Sequence, residues 1–368
     1  MQENDDLSAA LESEAPPERA NIGLFGATGV GKSTLLNSIF GAPIAETGIG
    51  EPVTAHTEMF VNDAGTLAIY DGAGFEIGDK SPLSDIRRRI LRNRKGDLST
   101  LIHVAWYCVS SPRLEDGQKK IIKELDDRGI PVVLVLTKVN VRDGVVDPAA
   151  VAMADAIEAM GLPIVSGRPL YTNAVPDTFN GVEVYGLESL LEATYRVVPE
   201  AQKIALVAAQ KIDLTIKARY ARSWIAGAVA FAGGVGATPI PLADVALLVP
   251  AQAAMMAKIA AVYDIPKAKA AMLVGSTTTI VAVGGKMAAA SLIKLVPGVG
   301  SVISAGVAAT ITGVLGESWR LTTEQVFTGK IDLDNVEQVA DLVKTFTENV
   351  KNGTGSTSTP AVQVESAG

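Results

Sequence analysis

The sequence predicts an α/β fold: a doubly wound sheet over residues 21–200, followed by an all-α hydrophobic domain over residues 201–350. Three observations carry this prediction. Short runs that are apolar throughout alternate with helical patterns from Asn21 to about Pro199, as strands covered on both faces do. A glycine-rich turn, Gly26-Ala27-Thr28-Gly29-Val30-Gly31-Lys32-Ser33, joins the first of these runs to a helix. After Pro199 the strand patterns stop, and residues 225–315 are rich in Ala, Gly and Val with few charges.

In chain order, residues 21–25 read as a strand and 32–40 as a helix. Residues 57–61 and 66–70 read as a hairpin around Asn62-Asp63-Ala64-Gly65. A basic amphipathic helix follows at 84–93, a strand at 101–109, a helix at 115–128 and a very apolar strand at 130–136. A helix at 148–160, a short strand at 169–172 and a helix at 187–197 complete the alternating part. Beyond it come a charged amphipathic helix at 201–224, an apolar helix from Asp244 to about Tyr263 and a polar helix at 333–350. Residues 1–20 are acidic, lack the apolar stretch of a signal peptide and read as disordered, as does the low-complexity tail 351–368.

The net charge of −8 argues against a general nucleic-acid binder, so no DNA partner is expected. Cys108 is the single cysteine, and His56 and His103 are the two histidines, which excludes an internal disulfide and zinc-site spacing. Cys108 reads as a buried strand residue of a protein in a reducing cytoplasm.

The turn fits GxxxxGK[ST] between a strand and a helix. Gly26, Gly29 and Gly31 let the backbone curl around phosphate oxygens, and the amides from Val30 through Thr34 offer donors at a helix start. Lys32 is placed to reach the β- and γ-phosphates and Ser33 to give its hydroxyl to Mg²⁺. A second motif, Asp71-Gly72-Ala73-Gly74, follows an apolar run, where open α/β sheets bind ligands. Asp71 would hold Mg²⁺ through water, and the Gly74 amide would meet the γ-phosphate. Between the two motifs lies Pro52-Val53-Thr54-Ala55-His56-Thr57. A switch loop needs a threonine that ligates Mg²⁺ and senses the γ-phosphate. Thr54 and Thr57 are both candidates, and Thr54 is preferred. Lys32 and Thr54 are thus the residues expected to act on the transferred phosphate. A base-recognition segment is expected after a buried strand: Thr137-Lys138-Val139-Asn140 follows one, and Thr172-Asn173-Ala174 follows another, offering the Ala174 amide to a base carbonyl.

The ordered set GATGVGKS, PVTAHT, DGAG, TKVN and TNA resembles the Era-like GTPases of bacteria, a Ras-like group of P-loop NTPases that includes 50S ribosome-binding GTPases. The run Ile102-His103-Val104-Ala105-Trp106-Tyr107 resembles that group too, and the resemblance covers roughly residues 20–200. It implies binding of GTP and GDP with Mg²⁺ and hydrolysis of GTP. Two departures stand out. Asn140 occupies the position of the Asp in [NT]KxD, so a donor faces one guanine N–H, a mismatch that costs on the order of 1–3 kcal/mol. Phe75 follows DxxG where a Ras-type enzyme carries its water-positioning Gln, which implies slow intrinsic turnover and acceleration by a homodimer partner or an activator protein.

The stretch Thr238-Pro239-Ile240-Pro241-Leu242-Ala243-Asp244 through Gln252 to Tyr263, with a weak echo at Val296-Pro297-Gly298-Val299-Gly300, resembles a hydrophobic helical domain found after bacterial GTPase modules, and immunity-related GTPases also carry a helical domain. Residues 224–243 and 295–316 are uncharged and long enough to span a bilayer, although Gly233-Gly234, Pro239, Pro241 and Pro297-Gly298 interrupt them. Lys217, Arg219, Arg222 and Arg320 flank the apolar region as cytoplasmic charges would. The expectation is a slow switch at the cytoplasmic side of the cell membrane, touching lipid. The alternative is a cytoplasmic assembly or ribosome-maturation factor. A nucleotide kinase would need an Arg-rich lid near the phosphates, and an ATPase would not carry TKx[DN].

Overall fold

The computed structural model describes residues 19–41, 58–62, 65–71, 101–110, 113–235, 243–266, 269–270, 305–335, 337–339, 341 and 344. The described residues divide into two compact units, one up to Leu214 and one from Thr215 onward. Each is described by itself.

The first unit is a six-stranded sheet in the order β2-β3-β1-β4-β5-β8. Its strands are β1 (Ala20–Phe25), β2 (Glu58–Val61), β3 (Leu67–Asp71), β4 (Val104–Val109), β5 (Val132–Leu136) and β8 (Leu170–Tyr171). All neighbours pair in parallel except β2 with β3. The expected hairpin is therefore present. Asn62 closes it: its side-chain oxygen accepts from Leu67 N (2.8 Å) and its amide donates to Thr66 Oγ1 (3.0 Å). β1, β4 and β5 are buried along their whole length, which is why they read as unbroken apolar runs.

The helices of this unit are α1 (Lys32–Phe40), α2 (Asp116–Asp126), α3 (Pro148–Ala159), α4 (Leu187–Val197) and α5 (Glu200–Ala209). Their starts follow local chemistry. The Glu115 amide donates to Gln118 Oε1 in a capping box that opens α2. Asp147 accepts from Ala149 N at 2.8 Å, and Pro148 takes the first turn of α3. Trp106 on β4 is fully buried, stacks on Phe40 of α1 with centroids 6.0 Å apart and donates to Thr194 Oγ1 of α4 at 2.9 Å. A small hairpin, β6 (Val141–Arg142) with β7 (Val145–Val146), turns through Asp143 and Gly144, both at positive φ. The helix expected at 84–93 lies outside the described residues, as do both chain ends.

The single helix expected over 201–224 is two. Gln210, fully buried, folds its side chain onto the backbone, accepting from Ile212 N (2.9 Å) and Asp213 N (2.7 Å). That ends α5, and α6 (Leu214–Val235) begins anew. The Lys211 amide donates to Ile39 O at 2.8 Å, tying the end of α5 to the end of α1, within the sheet unit.

The second unit contains α6, α7 (Ala243–Val262) and α8 (Ala305–Phe327). Among the described residues no helix is long and apolar enough to cross a membrane. Of the uncharged stretch 224–243, residues 224–235 belong to α6 and Ala243 opens α7, and residues 236–242 lie outside the described residues. Two of the supposed flanking charges turn inward. Lys217, fully buried, donates to Val262 O at 2.8 Å at the end of α7 and lies 4.4 Å from the Phe327 ring centre. Arg320 is buried between Glu317 (2.8 Å) and Glu324 on its own helix, and Arg222 reaches Glu317 at 3.2 Å. α8 thus carries its own ion pairs, with the Arg320 guanidinium turned into the unit.

Partial burial pushes the Glu317 carboxyl up, but the hydrogen bonds from Arg320 and Arg222 outweigh it and hold it below its usual range. A group with a depressed folded pKa stabilises the fold above its unfolded pKa and loses that contribution as pH falls through the folded value. Glu317→Gln is therefore expected to lower stability by on the order of 0.5–1 kcal/mol at neutral pH, after solvent screening. The deficit should vanish on acidification below the carboxylate range. Urea unfolding of both proteins across pH checks this, and a deficit that does not change with pH would contradict it.

Candidate functional site

The order of strands reverses at β1, which lies between β3 and β4, and the crevice beyond the carboxyl ends of such strands is where open α/β sheets bind ligands. Gly26 to Gly31 leave β1 there and enter α1. Gly26 has φ +135°, and a Cβ built on it would lie 2.2 Å from the carbonyl oxygen of Cys108, the next-to-last residue of β4. Any side chain would push the loop off the sheet, so glycine is required. Cys108 is itself buried, as expected, and its backbone is the floor of the loop.

Lys32 is mostly buried, and its ammonium donates to the carbonyls of Gly26 (3.0 Å) and Ala27 (3.2 Å), so it lies curled over its own loop. Ser33 and Thr34 follow in the first turn of α1, half-buried. Asp71 is the last residue of β3 and pairs in register with Leu24 of β1, which brings it to the same edge of the sheet as the loop. Thr54, Thr57, Gly74 and Phe75 lie outside the described residues.

The structure joins the loop to the segment after β5. Thr137 donates from Oγ1 to Val30 O at 2.5 Å, with Val109 O also in reach at 3.2 Å, and its amide donates to Val109 O. Lys138 adopts φ +57° and spans the loop, donating to Gly29 O at 2.7 Å. The Val139 amide bonds Thr172 O, and the Thr172 amide bonds Leu136 O, so the two expected base segments are adjacent. Asn140 is exposed, and its carbonyl accepts from Asp147 N at the cap of α3. Ala174 is half-buried, and its carbonyl accepts from the hydroxyl of Ser38 on α1 at 3.0 Å. Gly26, Gly29, Val30, Gly31, Lys32, Thr137, Lys138 and Ala174 therefore belong to one connected assembly.

Residues 21–138 match the profile of the 50S ribosome-binding GTPase family. This segment is similar in sequence to Era-like P-loop GTPase domains. GTPase Era of Histophilus somni (strain 129Pt) is 31% identical over 121 residues, which is 32% of this chain and 39% of the relative. GTPase Era of Xanthomonas axonopodis pv. citri (strain 306) is 24% identical over 193 residues, 52% of this chain and 59% of that protein. The chain thus spans less than two thirds of the length of these relatives. Among solved structures, a probable GTP-binding protein engB is 19% identical with a TM-score of 0.35, covering 48% of this chain and 98% of that one. Era in complex with MgGDPNP and nucleotides 1506–1542 of 16S ribosomal RNA is 17% identical with a TM-score of 0.36, covering 50% of this chain and 58% of that one. Neither overlay bears on the assignment. The α/β architecture of this segment is the one expected from the sequence.

Two positions in the GTPase domain's site escaped the sequence. Ser38 lies one turn of helix past the last motif residue, and Asn173 reads as a spacer between Thr172 and Ala174. Ser38 lies with Ser33, Thr34 and Asn37 on the half-buried polar side of α1, away from Leu35, Leu36, Ile39 and Phe40, and nothing in the local pattern singled it out.

Proposed function

We propose that the chain is a GTP-binding protein that hydrolyses GTP to GDP and phosphate with Mg²⁺ and works as a slow switch. The observation that carries this reading is the join between the phosphate loop and the base segment. Thr137 and Lys138 each bond a carbonyl of the loop, at Val30 and Gly29, so phosphate and base recognition are set in one frame. Lys32 then serves the β- and γ-phosphates by exchanging the Gly26 and Ala27 carbonyls for phosphate oxygens. The amides of Gly29 through Thr34 surround the phosphates at the start of α1. Ser33, in the first turn of α1, and Asp71, at the end of β3, offer the hard oxygen donors that suit Mg²⁺, one directly and one through water. Bound there, Mg²⁺ would neutralise charge on the β- and γ-phosphates. Thr54 is assigned as its second hydroxyl ligand from the sequence, and Phe75 as the reason for slow turnover.

Thr137, Lys138, Asn140 and Ala174 are assigned to the guanine. Asn140→Asp supplies a second acceptor at the base edge and is expected to tighten GTP binding by about three- to ten-fold and to sharpen discrimination against xanthosine triphosphate. Competition with a fluorescent nucleotide measures both. Unchanged selectivity would place Asn140 away from the base.

Inward-turned Lys217 and Arg320 favour a helical unit that packs on itself over one that lies in lipid. This favours the cytoplasmic alternative, an assembly or ribosome-related factor, over attachment to the inner face of the cell membrane. Flotation of the full chain with anionic liposomes separates the two: co-flotation that survives a salt wash would restore the membrane reading.

A further inference from the structure

Resting on the assignment of Thr172 to Ala174 to the base, we propose that Ser38 and Asn173 are positioning residues that hold the Ala174 amide ready to donate to the 6-oxygen of guanine.

The peptide groups on both sides of Ala174 are pinned. The Asn173 carbonyl accepts from Tyr185 N at 2.9 Å, and the Asn173 amide donates to Tyr185 O at 2.9 Å. A trans peptide is planar, with its C=O and N–H pointing in opposite directions. Fixing the Asn173 carbonyl toward Tyr185 therefore fixes the Ala174 N–H away from it. The Ala174 carbonyl belongs to the next peptide and accepts from Ser38 Oγ at 3.0 Å. The Asn173 side chain, almost fully buried, donates from Nδ2 to Val175 O (2.7 Å) and Glu183 O (2.8 Å), drawing the returning strand against the base loop. Among the described residues the Ala174 N–H donates to no acceptor. It is a backbone donor held in place by its neighbours and left open, and a preformed donor binds its acceptor without an ordering cost at that moment.

Ser38 is on α1, the helix whose first turn serves the phosphates. Its hydroxyl links that helix to the base loop across a separation of 136 residues. It touches no nucleotide atom in this account, so its effect falls on one contact only, the 6-oxygen. Serine at a half-buried helical position also tolerates alanine without harm to the helix.

The experiment compares full-length wild type, Ser38→Ala and Ser38→Thr for binding of GDP and of 2-aminopurine riboside diphosphate, which keeps the 2-amino group and lacks the 6-oxygen and, with it, the N1–H; the N1 change is common to all three proteins, so the difference between variants reports on the 6-oxygen. Wild type is expected to prefer GDP by about ten-fold, Ser38→Ala to lose about three-fold of that preference, and Ser38→Thr to retain it. Affinity for the 2-aminopurine nucleotide should be the same in all three. A preference unchanged in Ser38→Ala overturns the positioning role, and so does an equal loss for both nucleotides, which would mark Ser38 as a support of the phosphate helix. A wild type that does not distinguish the two nucleotides overturns the base assignment itself.

Discussion

Lys32→Ala is expected to weaken binding of GDP and GTP by at least about a hundred-fold and to remove hydrolysis. The lysine ammonium has three donors and a full charge, and each charge-assisted hydrogen bond to a phosphate contributes about 1.5–3 kcal/mol. Losing two of them costs on the order of 3–6 kcal/mol, which is more than two decades in affinity. Part of the loss has another origin. Lys32 also serves the carbonyls of Gly26 and Ala27, so alanine leaves both without that donor and loosens the loop even before nucleotide arrives. Titration with fluorescent GDP, alongside thermal unfolding without nucleotide, separates the two. Lys32→Arg restores the charge but brings a planar fork where the loop accommodates a point charge, so it should recover loop stability better than affinity. Wild-type affinity in Lys32→Ala would remove the phosphate assignment altogether.

The frame of the GTPase domain was readable because its strands are buried on both faces. A strand such as Val132–Leu136 has no polar face to confuse its period, and the glycine-rich turn follows directly upon one. The parts that were not readable share a cause: they are made by residues far apart in sequence. Thr137 meets Val30 across 107 residues and Ser38 meets Ala174 across 136, and neither partner carries a local sign of the other. The β6–β7 hairpin is a different case. Its Asp143-Gly144 turn is a strong hairpin signal, but the strands it joins, Val141–Arg142 and Val145–Val146, are too short to show alternation. The break between α5 and α6 left no mark either, since neither proline nor glycine ends α5. The Gln210 side chain does so, by bonding to the amides of Ile212 and Asp213.

In the second unit composition alone does not choose between two settings, because small residues dominate. Ala, Gly and Val in long uncharged runs suit lipid, and they suit helices packed at close range equally well. What separates the two is the direction of the few charges and the closeness of the backbones, and neither is written in hydropathy. At Gly316 on α8 a Cβ would come within 2.8 Å of Ile225 Cγ1 on α6 and 3.0 Å of Met255 Sδ on α7, so the three helices close on one another around a glycine. Gln252 on α7 meets Thr312 on α8 at 3.0 Å in the same region. A polar pair inside the bundle fixes which faces meet, where an apolar stripe alone would allow sliding.

Trp319→Ala is expected to be the most damaging single change in the helical unit. Trp319 on α8 is fully buried, and its indole N–H donates to Met256 O on α7 at 2.9 Å. Met256 and Ile259 on α7 and Ala221 and Ile225 on α6 are buried in the same unit. Removing a buried indole costs about 3–5 kcal/mol through lost burial and the cavity left behind, and the Met256 carbonyl loses a partner as well. A helical unit of ordinary stability, about 5–15 kcal/mol, would keep little of it. Two compact units make a single two-state analysis of the whole chain unsuitable. Nucleotide provides the means of assignment, because GDP raises only the transition of the unit that binds it. In the wild type, the transition that GDP does not move is assigned to the helical unit. That transition should fall by many degrees in Trp319→Ala, while the one that GDP raises keeps its response. Trp319→Phe, which retains most of the buried ring but not the donor, should lie between the two. A Trp319→Ala protein with an unshifted nucleotide-insensitive transition would mean that α7 and α8 do not form the packed core of this unit.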